Sequence, residues 1–226
     1  SRELLDEALD LAQGESPAIE VYPFKPHNAA LIQTRTSALK DSTLDSTLEV
    51  TQGRLRALDS QVVFHHVCEH NSEAVAGLVQ QALAQGCDPI MICGAGITVD
   101  TGDVIPSAIK ACGGEIIQFG MPVEPGNMLL FARLGNTRII NLPGCSRSPK
   151  LNGLDWVLQR ILAGMDVKPA DIMGLGVGGL IKDVAHSERR HRRAAKPKHQ
   201  HQLRIAAVIL AAGSSRRMGD QNKLLS

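Results

Sequence analysis

The sequence predicts an α/β protein: a three-layer α/β/α sandwich with a mostly parallel central sheet. Three observations support this. Between residues 28 and 162, short apolar runs alternate with amphipathic segments of helical period, the order that places helices on both faces of a parallel sheet. The chain is 43% hydrophobic but only 3% aromatic, so its core must be built from Val, Ile, Leu and Ala. PIMIC, residues 89–93, is an unbroken apolar run bounded by turn residues, as expected of a strand buried on both faces.

Residues 2–13 carry Leu4, Leu5, Ala8, Leu9 and Ala12 at helical spacing, and Gly14 and Pro17 end that helix. NAALIQT, residues 28–34, reads as a strand. A polar loop around Lys40–Ser42 then leads to a helix over about 44–58, with Leu44, Leu48, Leu55 and Leu58 toward the sheet. QVVFHHV, residues 61–67, is the next strand, followed by a helix capped by Asn71 or Ser72 and stopped by Gly86. Strand 89–93, a helix over about 104–111 stopped by Gly113 and Gly114, and strands at 115–119, 128–133 and 137–142 follow, the last turned back through Gly135 and Asn136. A helix from about Pro149 to Leu162 closes the unit, with Leu151, Leu154, Leu158 and Ile161 on its buried side. Gly174, Gly176, Gly178 and Gly179 lack the GKS or GKT ending of a phosphate loop, so residues 163–181 read as an extended surface segment.

The formal net charge of +1 hides a division. Residues 182–204 hold eight Lys or Arg against two acids and residues 205–226 three against one, which leaves residues 1–181 with thirteen against twenty. A main body this acidic excludes nucleic acid as a partner, because the phosphate backbone demands a basic surface. The basic run reads as a disordered interdomain linker, since without apolar spacing it cannot bury a face. No apolar run approaches the roughly 20 residues needed to cross a bilayer, and the N-terminus lacks the order of a signal peptide, so no membrane contact is expected. Cys68, Cys87, Cys93, Cys112 and Cys145 form no CxxC pair and read as free thiols of a cytoplasmic protein. His66, Cys68 and His70 share one strand face, with His65 beside them, but polar residues are ordinary at a strand end and no metal site is assigned.

Three loops fall at the same end of successive strands. In ICGAGITVDTGDVIP, residues 92–106, Gly94 and Gly96 let backbone approach a ligand, and Asp103 stands at a helix start, where it can also serve as a plain cap. MPVEPGN, residues 121–127, is a rigid turn containing Pro125 and Gly126. NLPGCSRSPKLNG, residues 141–153, sets Gly144, Ser146, Arg147, Ser148 and Lys150 before a helix, giving hydroxyls and two cations at its N-terminus.

The series GAG with TGDVIP, then PVEPGN with LLFARLG, then LPGCSRSPKLNG resembles the molybdopterin-binding domain of molybdenum insertion enzymes, over roughly residues 25–180. The resemblance implies an α/β/α domain that self-associates and binds the pterin and its terminal phosphate in loops above the sheet. It would place Gly94, Gly96, Thr98, Asp103, Pro125, Gly126, Gly144 and Ser146 around the cofactor, molybdopterin or the molybdenum cofactor, with Arg147, Ser148 and Lys150 beside them. Asp45 resembles the acidic residue of the same neighbourhood, and Asp103 and Asp45 are the catalytic candidates. Where insertion enzymes carry a Gly-Gly pair, this loop has Ala95, which weighs against insertion chemistry more than against binding.

Residues 205–226, IAAVILAAGSSRRMGDQNKLLS, run a strand into LAAG, RMG and NKLL elements that resemble the opening of molybdenum-cofactor nucleotidyltransferases, closer to the cytidylyltransferase branch. Gly213, Ser215, Arg217 and Lys223 would meet a triphosphate, with CTP and Mg²⁺ implied for a longer protein, since 22 residues cannot bury a core. The sequence thus divides into residues 1–24 as a helix and lead-in, 25–181 as a pterin-binding domain, 182–204 as the linker and 205–226 as the start of a transferase. The expected function is cofactor binding in support of cytidylyl transfer, with a homo-oligomer and a molybdoenzyme or maturation partner as associates. Adenylation or molybdate insertion by the domain itself, or a non-catalytic oligomerisation role, are the alternatives.

Overall fold

The computed structural model describes residues 20–181 and Ala207–Val208. These fall in two units, one within residues 1–23 and 199–226 and the other within 24–198. In the first, β1 (Glu20–Val21) pairs antiparallel with β8 (Ala207–Val208). The predicted helix over 2–13, the predicted linker at 182–204, and Gly213, Ser215, Arg217 and Lys223, expected to meet a triphosphate, lie outside the described residues.

The second unit contains a six-stranded sheet of β2 (Asn28–Arg35), β3 (Gln61–Glu69), β4 (Ile90–Cys93), β5 (Glu115–Phe119), β6 (Leu130–Leu134) and β7 (Thr137–Asn141), in the order β3-β2-β4-β7-β6-β5. Neighbours from β3 to β7 are parallel, and β6 alone runs against the rest. Strand alternation gives each face its own core. Ala29, Leu31, Met91, Phe131 and Ile140 face α1 (Asp41–Arg56) and α4 (Gly153–Leu162). Ala30, Ile32, Ile90, Ile92 and Ile139 face α2 (Ser72–Ala84) and α3 (Val104–Ala111). The three-layer α/β/α architecture is therefore the predicted one.

Three elements depart from the sequence reading. α1 runs Asp41–Arg56 and so includes Asp41 and Ser42, which the sequence places in a loop. The closing helix begins at Gly153 rather than Pro149. Residues 144–147 instead form a 3₁₀ turn, and Asn152 caps α4 by accepting from Leu154 N at 2.8 Å while Asp155 receives Asn152 N at 2.8 Å. Leu151, expected on the buried face, consequently lies outside the helix and is 49% exposed. The glycine-rich segment is not extended throughout. It opens with α5 (Pro169–Met173), which buries Ile172, and a 3₁₀ turn over Gly174–Gly176. It then lies against the PVEPG loop, where Glu124 N donates to Gly179 O and Ile181 N donates to Glu124 O. Gly179 is required there, because a Cβ would stand 2.1 Å from Pro122 O.

Candidate functional site

The chain passes from β2 to β3 on one side and from β3 to β4 on the other, so the topological switch lies between β2 and β4. In open α/β sheets, ligands bind at the carboxyl ends of strands beside such a switch. The loops following β2, β3, β4, β5 and β7 all emerge at that edge, because β5 runs parallel to the main set. The three loops picked out in the sequence are thus gathered on one rim. The N-termini of α1, α2, α3 and α4 stand there too, and their free amide groups and aligned peptide dipoles favour an anion.

The β4 to α3 loop is held from two sides. Thr34 Oγ1, buried at the end of β2, accepts from Ala95 N at 2.7 Å and bonds His70 Nδ1 at 2.8 Å. His70 packs beside the glycines, and a Cβ on Gly96 would lie 3.5 Å from its Nε2. A Cβ on Gly94 would meet Ile105 at 2.8 Å and Gly96 O at 3.0 Å, so the close approach itself demands glycine there. Asp103 turns its carboxylate inward, Oδ2 accepting from Val99 N at 2.7 Å and Asp100 N at 2.9 Å. Those two amide donors hold its carboxyl below the usual range near 3.8. Asp103 is therefore engaged in shaping its own loop. Thr98 is buried within that loop.

The β5 to β6 loop meets the start of α4. Gly153 N donates to Pro125 O at 2.8 Å, and Gly126 has φ +134°, with the position of a Cβ only 2.7 Å from Gly153 N. The β7 to α4 turn carries the remaining residues. Arg147 Nη2 donates to Gly94 O at 2.7 Å, which ties this turn to the glycine loop. Gly144 is exposed, and Ser148 Oγ accepts from Lys150 N at 3.3 Å. Ser146 is only 1% exposed, yet its Oγ has no hydrogen-bond partner, and Nε of the following residue, Arg147, is also buried without one. Buried polar groups are ordinarily satisfied, so unpaired donors on two consecutive residues fit an acceptor brought by a ligand.

The two catalytic candidates have different surroundings. Asp45 is exposed on α1, its carboxylate makes no side-chain hydrogen bond among the described residues, and its charge is felt at His65. Asp103 belongs to the glycine loop. Among the described residues no group of His, Cys, Asp and Glu is arranged to hold a metal. His65 instead bonds Gln33 at 3.1 Å, the His66 ring lies tilted against Phe64 with centroids 4.4 Å apart, and His70 supports the glycine loop. Cys145, exposed at the turn, is not activated: partial burial of its sulfur, and secondarily Glu124, push its thiol upward. Sequence reading missed Thr34 and Arg54 and weighed His70 only as a metal ligand; the roles of all three depend on contacts to residues 36 or more positions away. A cavity of about 380 Å³ lined by Arg35, Thr36, Ser37, Glu69, His70 and Asn71 opens on the same rim, with His70 forming its boundary to the glycine loop.

Fold and rim together define an open three-layer α/β domain with three loops and four helix N-termini gathered at the carboxyl edge of its sheet. Residues 30–164 match the family described as "Probable molybdopterin binding domain", and the chain belongs to that family. A general role in molybdenum-cofactor biosynthesis follows from that membership. No curated protein matches the sequence. Among solved structures, the chain is similar to the molybdopterin biosynthesis MoeA protein from Pyrococcus horikosii, with 19% identity and a TM-score of 0.41, over 53% of this chain and 30% of that one. It is also similar to the CinA protein from Thermoplasma acidophilum, described as of unknown function, with 16% identity and a TM-score of 0.48, over 61% of this chain and 98% of that one. The chain therefore spans less than a third of the length of the Pyrococcus protein. No helix among the described residues is long and apolar enough to cross a membrane.

Proposed function

We propose that this domain binds molybdopterin with its terminal phosphate in the β7 to α4 turn, and holds the cofactor for a later step rather than transforming it. The observation that carries this reading is that Ser146 Oγ and Arg147 Nε, in the turn that precedes α4, are buried donors without a partner. A phosphate oxygen accepting from both would satisfy two groups that otherwise cost free energy by burial alone. The glycines at 94, 96 and 126 keep the neighbouring loops low, which leaves room for the body of the pterin above the sheet.

A holding role is favoured over adenylation or insertion because Asp103 spends its carboxylate on two amides of its own loop. Cytidylyl transfer with CTP and Mg²⁺, self-association, a molybdoenzyme or maturation partner and a cytoplasmic location belong to the same proposal for a longer protein. They are supported by the motif at Gly213, Ser215, Arg217 and Lys223 and by the resemblance, and the chain's own described residues supply the binding step.

Anaerobic titration with molybdopterin and with its dephosphorylated form tests the assignment. Ser146→Ala should weaken molybdopterin binding about tenfold or more, the scale of one hydrogen bond to a charged group, while changing affinity for the dephosphorylated pterin little. Equal losses for both ligands would take the phosphate out of this turn, and no binding by the wild-type chain would refute the function.

A further inference from the structure

A turn that receives an anion must present N–H and O–H groups and keep its carbonyl oxygens away, because each carbonyl carries the wrong end of a dipole. The β7 to α4 turn has a local means of doing this, and it comes from a different part of the chain. Arg54 lies in the last turn of α1, outside every motif of the rim, and its side chain is only 9% exposed. Its Nη1 donates to Ser146 O at 2.6 Å, and its Nη2 donates to Ser148 O at 2.7 Å and Lys150 O at 3.1 Å. Its Nε donates to Asp155 Oδ1 at 2.7 Å, and the other oxygen of Asp155 receives Asn152 N in the cap of α4. One planar guanidinium thus joins α1, three carbonyls of the turn and the helix cap.

We propose that Arg54 is the positioning residue of the phosphate-binding turn, acting by drawing its carbonyls to the α1 side so that the donors of Ser146 and Arg147 face the ligand. The proposal rests on the reading of that turn as the phosphate site. In a trans peptide the C=O and N–H point in opposite directions. Drawing Ser146 O and Lys150 O toward Arg54 therefore directs the amides of Arg147 and Leu151 away from it. The same hold fixes the backbone at Ser146, whose hydroxyl is left unpaired, and at Arg147, which bridges to Gly94 O. A lysine cannot replace this arrangement. Its single ammonium could keep the pairing with Asp155, but it lacks the rigid fork that reaches three carbonyls at once.

The test compares wild type, Arg54→Lys, Arg54→Met, Ser146→Ala and the Arg54→Lys/Ser146→Ala double variant. It uses anaerobic molybdopterin titration, thermal unfolding and amide exchange of residues 144–151 in the ligand-free protein. Arg54→Lys should remain folded, exchange faster across that segment, and bind molybdopterin about tenfold more weakly. Because the arginine acts through the turn, the double variant should lose much less than the two single losses combined, a non-additivity that a merely stabilising residue would not produce. Where Arg54→Met does not fold, the lysine variant and the cycle carry the result. Wild-type affinity in Arg54→Lys, or fully additive losses, would overturn the role of Arg54 while leaving the phosphate reading intact. No binding by wild type would remove that reading and this role together.

Discussion

At the residue scale, the rim is defined by groups that have been given unusual work. Gly126 is the sharpest case, since its φ of +134° is foreign to side-chain-bearing residues and the space its Cβ would need is filled by the backbone of Gly153. Neither neighbour is the movable end of a side chain, so strain and clash act together. Gly126→Ala should destabilise the domain by about 1–3 kcal/mol, read as a lower urea midpoint at unchanged slope. Unchanged stability would mean that the β5 to β6 loop can move away from α4. The glycines and the polar residues of the three loops were visible in the sequence because their chemistry is carried by residue type. The roles of Thr34, His70 and Arg54 were not, since a threonine ending a strand and an arginine in a helix look ordinary until the fold brings the β4 loop and the β7 turn onto them.

At the element scale, periodicity served the strands and the inner helices well, because their apolar spacing is enforced by a sheet covered on both faces. The predicted helix over 104–111 and strand over 115–119 coincide with the observed elements. The start of α4 was misplaced for a physical reason. Leu151 fits the helical pattern by spacing, but the capping interaction of Asn152 with Leu154 and Asp155 sets the boundary after it. This separates two leucines that the sequence alone would treat alike. Leu151→Lys should alter stability by less than about 0.5 kcal/mol, whereas Leu154→Ala, at a site 2% exposed, should cost about 2–5 kcal/mol in the same unfolding assay. A large effect at Leu151 would place it in the core after all. The glycine-rich segment differs from its sequence reading for a related reason: Gly176 and Gly179 serve close packing against Pro122, a requirement that no local pattern announces.

At the scale of the whole molecule, the two edges of the sheet have different tasks. The carboxyl edge gathers the loops and helix N-termini, while the amino edge is closed by a polar cluster in which Arg138 pairs with Asp88 beside His27. Burial first, and then the charge of Arg138, lower the pKa of His27 below its usual 6.5, and burial followed by His66 does the same for His65. A histidine whose folded pKa is lowered binds its proton more readily when unfolded. Stability should therefore fall as pH drops from neutrality through 6.5 toward the folded values, and rise again across that window on return. Thermal unfolding between pH 7.5 and 5.5 should show this slope, reduced in His27→Gln, and a flat profile would contradict the assignment of both groups as neutral in the fold.

On the proposed function, a pterin with a terminal phosphate sits on the carboxyl edge, with the phosphate against Ser146 and Arg147. Hydrogen exchange of the wild-type chain with and without molybdopterin, under anaerobic conditions, addresses it most directly. The prediction is slowed exchange in residues 94–103, 120–129 and 142–152 together, strongest at 144–151. Protection confined to residues 35–37 and 69–71, or no change at saturating ligand, would contradict it.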